Sequence, residues 1–193
     1  MARTNNLLEL LQAAPGEQTA IILPEAGIRV SYASLREQVM GMAEALAAMG
    51  IGRGDRVATL LPNGLPAIVS FLAASIAGTA APLNPAYRPE EIQFYMEDTG
   101  AKILVDEAEY ARITGSGERR SVAPLSNDDV ALVLHTSGST GRPKRVPIRH
   151  ANLAASAHNI VETYALSEKD VALCVMPLFH VHGLVASTIS TFL

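Results

Sequence analysis

Residues 57–87 contain no Asp, Glu, Lys or Arg, and this stretch limits the possible folds of the chain more than any other feature. Its length would allow it to cross a membrane as a single helix. Residues that break helices interrupt it too often for that, at Pro62, Asn63, Gly64, Pro66, Gly78, Pro82 and Pro85. We therefore predict three buried elements in this order: a strand at 56–61, a helix at 65–77 and a strand at 79–83.

A second stretch, residues 171–193, lacks the same four residue types. Pro177 and Gly183 interrupt it, so we predict a strand at 171–176, a loop, and a helix from Gly183 onward. The helical pattern continues to Leu193 without an end signal. We expect the chain to be the N-terminal part of a longer protein for that reason.

Strand-like and helix-like patterns alternate along the rest of the chain, which is typical of an α/β architecture. The predicted strands lie at 19–23, 28–32, 102–106, 130–135 and 145–149. The predicted helices lie at 4–14, from a capping box at 34–37 to Gly50, from Pro89 to Gly100, and at 153–164. Residues 114–121 are predicted to form a surface loop.

The composition suits a globular intracellular protein. Hydrophobic residues make up 49% of the 193 residues and charged residues 18%, which excludes a disordered or collagen-like chain. The net charge of −4 gives no electrostatic reason to expect nucleic acid or an anionic membrane as a partner. The single cysteine, Cys174, cannot form an internal disulfide, so we expect a reducing compartment, the cytoplasm. We predict that Cys174 is a small buried residue within its strand.

A glycine-rich run follows the apolar strand at 130–135 and has the chemistry of a phosphate-binding loop. Hydroxyl donors alternate with glycines that let the backbone approach a ligand, and a lysine follows; the residues are Thr136, Ser137, Gly138, Ser139, Thr140, Gly141 and Lys144. A flexible turn is the simpler alternative, but it does not account for the hydroxyls and the lysine together. We predict that these seven residues bind nucleotide phosphates.

The P-loop of kinases and ATPases is a rival interpretation, and the sequence excludes it. In a P-loop, glycine precedes the lysine and Ser or Thr follows it. Here Pro143 precedes Lys144 and Arg145 follows it. Pro143 and Pro147 also disfavour the helix that a P-loop opens.

The run resembles the Thr-Ser-Gly-Ser/Thr-Thr-Gly-x-Pro-Lys-Gly signature of the adenylate-forming superfamily, which contains acyl-CoA synthetases, adenylation domains and luciferases. Further landmarks of that superfamily follow in the right order from Ser31 to the end of the chain, at 31–35, 54–58, 77–85, 129–131 and 177–184. The resemblance implies a layered α/β fold, of which residues 1–193 are part of the N-terminal AMP-binding domain. Arg145 departs from the signature, which has glycine there. It predicts either a stiffer loop or a second cation near the phosphates.

Two histidines lie in the last of these landmarks, residues 177–184. Alone, His180 and His182 would suit either a metal such as zinc or a place in the core, but no third ligand stands at a typical spacing. The resemblance implies instead that His180 is a catalytic residue beside the acyl group and the nucleotide. It also implies that His180, His182 and Gly183 contact the acyl substrate. His135 is predicted to have a packing role.

The resemblance implies ATP-dependent activation of a carboxylic acid to an acyl-adenylate, followed by thioester formation with coenzyme A. ATP, Mg²⁺ and coenzyme A would be required, together with a small carboxylate and association with a C-terminal portion. The histidine motif most resembles ligases for oxalate and malonate, while ligases for fatty and aryl acids remain alternatives. The chain alone is expected to be inactive. The alternative class is a non-catalytic remnant that binds nucleotide weakly or associates with another protein.

Overall fold

A computed structural model describes residues 4–136 and 143–193. The strands are β1 (Thr19–Leu23), β2 (Ile28–Ser31), β3 (Arg56–Thr59), β4 (Thr79–Pro82), β5 (Ala101–Val105), β6 (Val130–Thr136) and β7 (Lys144–Arg149). The helices are α1 (Leu7–Ala13), α2 (Tyr32–Ala48), α3 (Leu65–Ala77), α4 (Pro89–Thr99), α5 (Glu107–Gly115) and α6 (His150–Tyr164). Short irregular helical turns follow at His182–Ala186 and Ile189–Phe192. The predicted α/β class is confirmed.

A five-stranded sheet in the order β5-β3-β4-β6-β7 forms the centre of the fold. The first four strands are parallel to their neighbours, and β7 runs antiparallel to β6. The β1–β2 hairpin is a separate two-stranded sheet. Parallel strands end at the same edge of a sheet, so the carboxyl ends of β3, β4, β5 and β6 lie together, beside the start of β7.

The stretch at 57–87 folds as predicted into β3, α3 and β4. Every residue of β4 is buried, and so is α3 from Ala67 to its last residue. Pro66 lies in the first turn of α3, where its missing N–H costs no hydrogen bond. At Gly78 the chain crosses its own backbone: a Cβ there would lie 2.5 Å from the Asp55 carbonyl oxygen. Only glycine fits without a shift of the backbone.

Helix α2 covers α3 and begins earlier than predicted. Its apolar residues Leu35, Val39, Met42 and Leu46 recur at helical spacing and are all at most 1% exposed. The predicted capping box at 34–37 is wrong, since the helix starts at Tyr32 with Ser31 as its N-cap. The Ser31 hydroxyl accepts a hydrogen bond from the Ser34 N–H at 3.2 Å, and this bond fixes the start three residues upstream.

Helix α5 was not predicted from the sequence. Asp106 caps it by accepting a hydrogen bond from the Glu109 N–H at 2.8 Å, and Ile113 is its one fully buried residue. With so few apolar residues its periodicity is weak, which is why the pattern did not indicate a helix. The loop expected at 114–121 therefore begins after the helix, at Ser116.

The second charge-free stretch differs most from its prediction. Residues 171–176 form no strand, because no described strand lies beside them to accept and donate the ladder of hydrogen bonds. The helix predicted from Gly183 is also wrong as a regular α-helix. It is replaced by one turn of π-helix at His182–Ala186 and one of 3₁₀-helix at Ile189–Phe192. Among the described residues, no helix is both long and apolar enough to cross a membrane.

Candidate functional site

The two ends of the glycine-rich run are held together at the carboxyl edge of the sheet. Thr136 ends β6 and Lys144 begins β7, and the two residues are partners in the antiparallel ladder. The predicted residues between them, Ser137, Gly138, Ser139, Thr140 and Gly141, lie outside the described residues. Their phosphate-binding role stays a prediction. The frame that carries them starts and ends where ligands of α/β proteins bind.

Lys144 is an exposed cation at this edge, and within residues 4–136 and 143–193 it forms no ion pair. Thr136 beside it is exposed as well. An unpaired ammonium and a hydroxyl at the mouth of a glycine-rich run suit the oxygens of a phosphate group.

Arg145 does not add a second free cation. Its Nη1 donates a hydrogen bond of 2.5 Å to the carbonyl oxygen of Asp98, near the end of α4. Its Nε lies 3.4 Å from the Asp98 carboxylate oxygen Oδ2. The guanidinium is therefore held against α4, where a cation is also favoured by the helix dipole. The contacts with Asp98 argue against a free second cation near the phosphates. The predicted stiffening of the loop concerns residues outside those that the structure describes.

His135 has the predicted packing role and a polar contact besides. Its side chain is 8% exposed, and its ring lies edge-on to Tyr95 with the centroids 4.7 Å apart. Nε2 lies 3.0 Å from the same Asp98 oxygen that faces Arg145. Asp98 thus ties both stems of the glycine-rich run to α4, because His135 and Arg145 are themselves paired across β6 and β7.

An aromatic wall continues from His135 along this edge. Tyr95 stacks on Tyr87 with their centroids 4.8 Å apart. Burial, reinforced by the hydrogen bond with Tyr95, raises the pKa of Tyr87 to about 12, so the phenol stays neutral at physiological pH. A shallow cavity of about 180 Å³ lies nearby, but Glu97 and Asp98 line it and would repel a polyphosphate. A cavity of about 250 Å³ lies at the opposite edge, beside Gly78 and Val130, away from the run.

The predicted histidine motif at 177–184 forms a tight turn, and its two histidines are exposed. Leu178 is buried and anchors the turn, while the side chains of His180 and His182 are accessible. Gly183 is buried, and a Cβ there would overlap the Pro177 carbonyl group, so the turn closes on itself through glycine. No group of three or more His, Cys, Asp or Glu in the described part of the chain is arranged to hold a metal ion.

Cys174 is half-buried rather than buried and does not lie in a strand, which corrects its prediction. Its thiol contacts the Met176 carbonyl oxygen at 3.6 Å. Two polar residues, Asp98 and Asn63, were not predicted from the sequence to take part in this site. Asn63 was noted only as a helix breaker, yet its side-chain amide binds the backbone of the histidine turn. Neither contact has a local sequence signal, because each joins residues far apart in the chain.

Comparison with known proteins agrees with this geometry. A probable CoA ligase of Humulus lupulus is 38% identical and aligns with 100% of this chain and 43% of its own length. An oxalate–CoA ligase of Arabidopsis thaliana is 40% identical over 74% of this chain and 34% of its own length. The crystal structure of ATP-bound MatB from Rhodopseudomonas palustris superposes with a TM-score of 0.84 at 29% identity, covering 97% of this chain and 43% of that one.

The chain spans less than half the length of these relatives. The family model described as AMP-binding enzyme matches residues 9–193, which is nearly the whole chain. The residues that carry the paired ends of the glycine-rich run and the histidine turn all fall within this match. The chain belongs to the family of AMP-binding enzymes.

Proposed function

We propose that this chain is part of the N-terminal AMP-binding domain of an acid–thiol ligase. The enzyme activates a carboxylic acid with ATP to an acyl-adenylate and then transfers the acyl group to coenzyme A. Family membership, the similarity to CoA ligases and the likeness to an ATP-bound structure support this proposal. Because the chain spans about 43% of its relatives, the activity is proposed for a protein that also contains the remaining part.

The observation that carries the proposal is the pairing of Thr136 with Lys144 at the carboxyl edge of the sheet. This pairing fixes the two ends of the hydroxyl-rich run, and it leaves the Lys144 ammonium exposed. In the proposed reaction a carboxylate oxygen forms a bond to the α-phosphorus of ATP. The bond from that phosphorus to the bridging oxygen breaks, and pyrophosphate leaves with the electron pair. Lys144 and the hydroxyls of the run neutralise charge on the departing group.

The second step needs an accessible acyl group. The thiol of coenzyme A loses its proton to solvent as its sulfur attacks the carbonyl carbon of the acyl-adenylate, and AMP leaves with the electron pair of the broken carbon–oxygen bond. We assign His180, His182 and Gly183 to the surface that faces the acyl group, since both imidazoles are exposed on one tight turn. His180 is the proposed catalytic residue of the three. A small dicarboxylate such as oxalate is the proposed substrate, supported by the Arabidopsis relative.

The described residues offer no carboxylate cluster for Mg²⁺. The catalytic work given to this chain is positioning and charge neutralisation.

The neighbouring residues Lys144 and Arg145 provide a matched test. Lys144→Ala removes the unpaired cation, and we expect kcat/KM for ATP to fall by about 10- to 100-fold, the worth of a hydrogen bond to a charged group. Arg145→Ala removes a cation already held by Asp98, so we expect a fall of less than about tenfold. Pyrophosphate release by the complete enzyme, measured with a panel of carboxylates, gives both values. Equal losses for the two variants would contradict the assignment of Lys144.

The 193-residue chain itself is expected to form no acyl-CoA in a coupled assay for AMP. Robust turnover by this chain alone would contradict the proposal that the active enzyme needs the remaining part.

A further inference from the structure

Asn63 lies in the short loop that leads from β3 to α3, at the carboxyl edge of the sheet. Its side chain is exposed, and α3 is capped at Gly64 without help from a side chain. Asn63 therefore contributes neither to the core nor to the start of the helix. Its polar groups are directed elsewhere.

The two ends of the Asn63 amide bind the backbone of the histidine turn. Nδ2 donates a hydrogen bond of 3.0 Å to the carbonyl oxygen of Met176. Oδ1 accepts a hydrogen bond of 2.8 Å from the N–H of Leu178. A side-chain amide that uses its donor and its acceptor on alternate residues acts as a neighbouring strand would. We call this pair of bonds the amide bridge.

The amide bridge is prominent because the segment it holds has little else. Residues 171–181 contain no strand, and no other hydrogen bond joins them to an earlier element within the described parts of the chain. Leu178, at 5% exposure, supplies the apolar anchor. An apolar anchor fixes depth but not rotation, whereas two directional bonds fix both.

His180 lies two residues after Leu178, the second residue of the amide bridge. Its N–H donates to the Pro177 carbonyl oxygen at 3.1 Å, and its own carbonyl oxygen accepts from the Leu184 N–H at 3.0 Å. The backbone of His180 is thus part of the same rigid turn, and a rotation at Met176 or Leu178 would carry the imidazole with it.

We infer that Asn63 is a positioning residue for His180. The amide bridge ties the turn that carries the imidazole to the loop after β3, at the carboxyl edge of the sheet. The inference rests on the proposed function, since it gives the bridge a role in the reaction of a carboxylate with ATP. Asn63 acts on the histidine turn and not on the phosphate-binding run, so its effect separates from nucleotide binding.

The test combines two measurements on Asn63→Ala, with Asn159→Ala as the matched control. Asn159 is an exposed asparagine on α6 for which the described residues provide no partner. Hydrogen–deuterium exchange of the 193-residue chain should show faster exchange at residues 176–184 in Asn63→Ala, with α3 unchanged. The control should match the unsubstituted chain throughout. Unchanged exchange at 176–184 would overturn the amide bridge.

Steady-state pyrophosphate release by the complete enzyme tests the role in the reaction. For Asn63→Ala we expect kcat to fall by on the order of 10- to 100-fold, the cost of a small misplacement of a catalytic group. KM for ATP and the melting temperature should stay at the values of the unsubstituted enzyme. Asn63→Asp keeps the acceptor for the Leu178 N–H but loses the donor to Met176. Its kcat should therefore lie between those of the unsubstituted enzyme and Asn63→Ala.

The outcomes separate this inference from the function on which it rests. If the unsubstituted enzyme releases no pyrophosphate with any carboxylate, the proposed function is wrong, and so is the role of His180. An active enzyme whose kcat is unchanged by Asn63→Ala overturns the role of Asn63 alone. A rise in KM for ATP together with a lower melting temperature would also overturn the role of Asn63. A general destabilisation of the fold, and not a displaced His180, would then explain the fall in kcat.

Discussion

Residues 57–87 and residues 171–176 both lack Asp, Glu, Lys and Arg, yet the first segment is mostly buried and the second is mostly exposed. The first becomes β3, α3 and β4, and α3 is buried from Ala67 onward. In the second, Val171, Leu173 and Val175 are 79%, 79% and 71% exposed. The two stretches have the same apolar character, so composition does not explain the difference.

The difference lies in what each stretch can pack against. Helix α3 lies between α2 and the sheet, and β3 and β4 have a strand on each side. Residues 171–176 have no strand beside them in the described structure. Apolar surface gains free energy only when another surface removes it from water. A charge-free stretch therefore indicates a capacity to be buried, and its neighbours decide whether burial occurs.

The same substitution in the two stretches should give the largest contrast. Leu72→Ala removes a side chain that is 2% exposed, and we expect it to lower the free energy of unfolding by about 2–5 kcal/mol. Leu173→Ala should change it by less than about 0.5 kcal/mol. Urea denaturation of both variants measures the contrast. Similar losses would show that residues 171–176 are buried in solution and would break the comparison.

Glycine substitutions test how closely the first stretch is packed. Gly78→Ala places a methyl group against the Asp55 carbonyl oxygen, and we expect a loss of about 1–3 kcal/mol. Gly115→Ala at the end of α5 meets nothing within 4 Å, and it should stabilise the chain by about 0.4–1 kcal/mol. Melting curves of the two variants should shift in opposite directions. A neutral Gly78→Ala would mean that the turn between α3 and β4 yields easily.

Acid should destabilise the region of α3. His150 is fully buried; its Nε2 donates to the Ser75 carbonyl oxygen of α3 at 3.0 Å, and its Nδ1 faces the Leu7 N–H at 3.4 Å. Burial lowers the pKa of His150 below its ordinary value of 6.5. The unfolded chain then binds a proton more readily than the folded chain. The stability that His150 contributes is full above pH 6.5 and is lost as the pH falls through the folded pKa.

Urea midpoints between pH 7.5 and 5 measure this loss. His150→Gln should flatten the dependence of the midpoint on pH. An undiminished dependence in this variant would show that the acid-sensitive group is not His150.

Exposed valines in the second stretch should affect association more than stability. Val171→Thr/Val175→Thr keeps the shape of both side chains, and we expect the free energy of unfolding to change by less than about 0.5 kcal/mol. Self-association should decrease, because contiguous exposed apolar surface promotes it. Light scattering across a concentration series gives the result. Unchanged self-association would show that the surface responsible for it does not include Val171 and Val175.

Local signals predicted much of this fold from the sequence. Proline and glycine marked the ends of α3, whose predicted bounds are those observed, and Gly100 marked the end of α4. The strand predicted at 171–176 was wrong because a strand depends on a partner that its own sequence does not encode. Helix α5 was missed because its one buried residue, Ile113, gives almost no periodicity.

In the candidate site too, some residues were predicted from the sequence and others were not. Thr136 and Lys144 were predicted from one short motif as phosphate-binding residues, and they are partners in the ladder between β6 and β7. Their phosphate-binding role stays a prediction. Asp98 and Asn63 were not predicted, since their partners follow far along the chain. Motifs therefore indicate the groups that are proposed to bind a ligand. The residues that hold those groups in place emerge only from the tertiary structure.

The antiparallel pairing of β6 with β7 also bears on the order in which the chain folds. This pairing joins residues as close in sequence as Thr136 and Lys144, whereas the contact of β4 with β6 joins Ala80 to Leu132. Closing a short loop costs less chain entropy than closing a long one. The stems of the glycine-rich run can therefore meet early in folding, and the parallel strands add to a hairpin that is already formed.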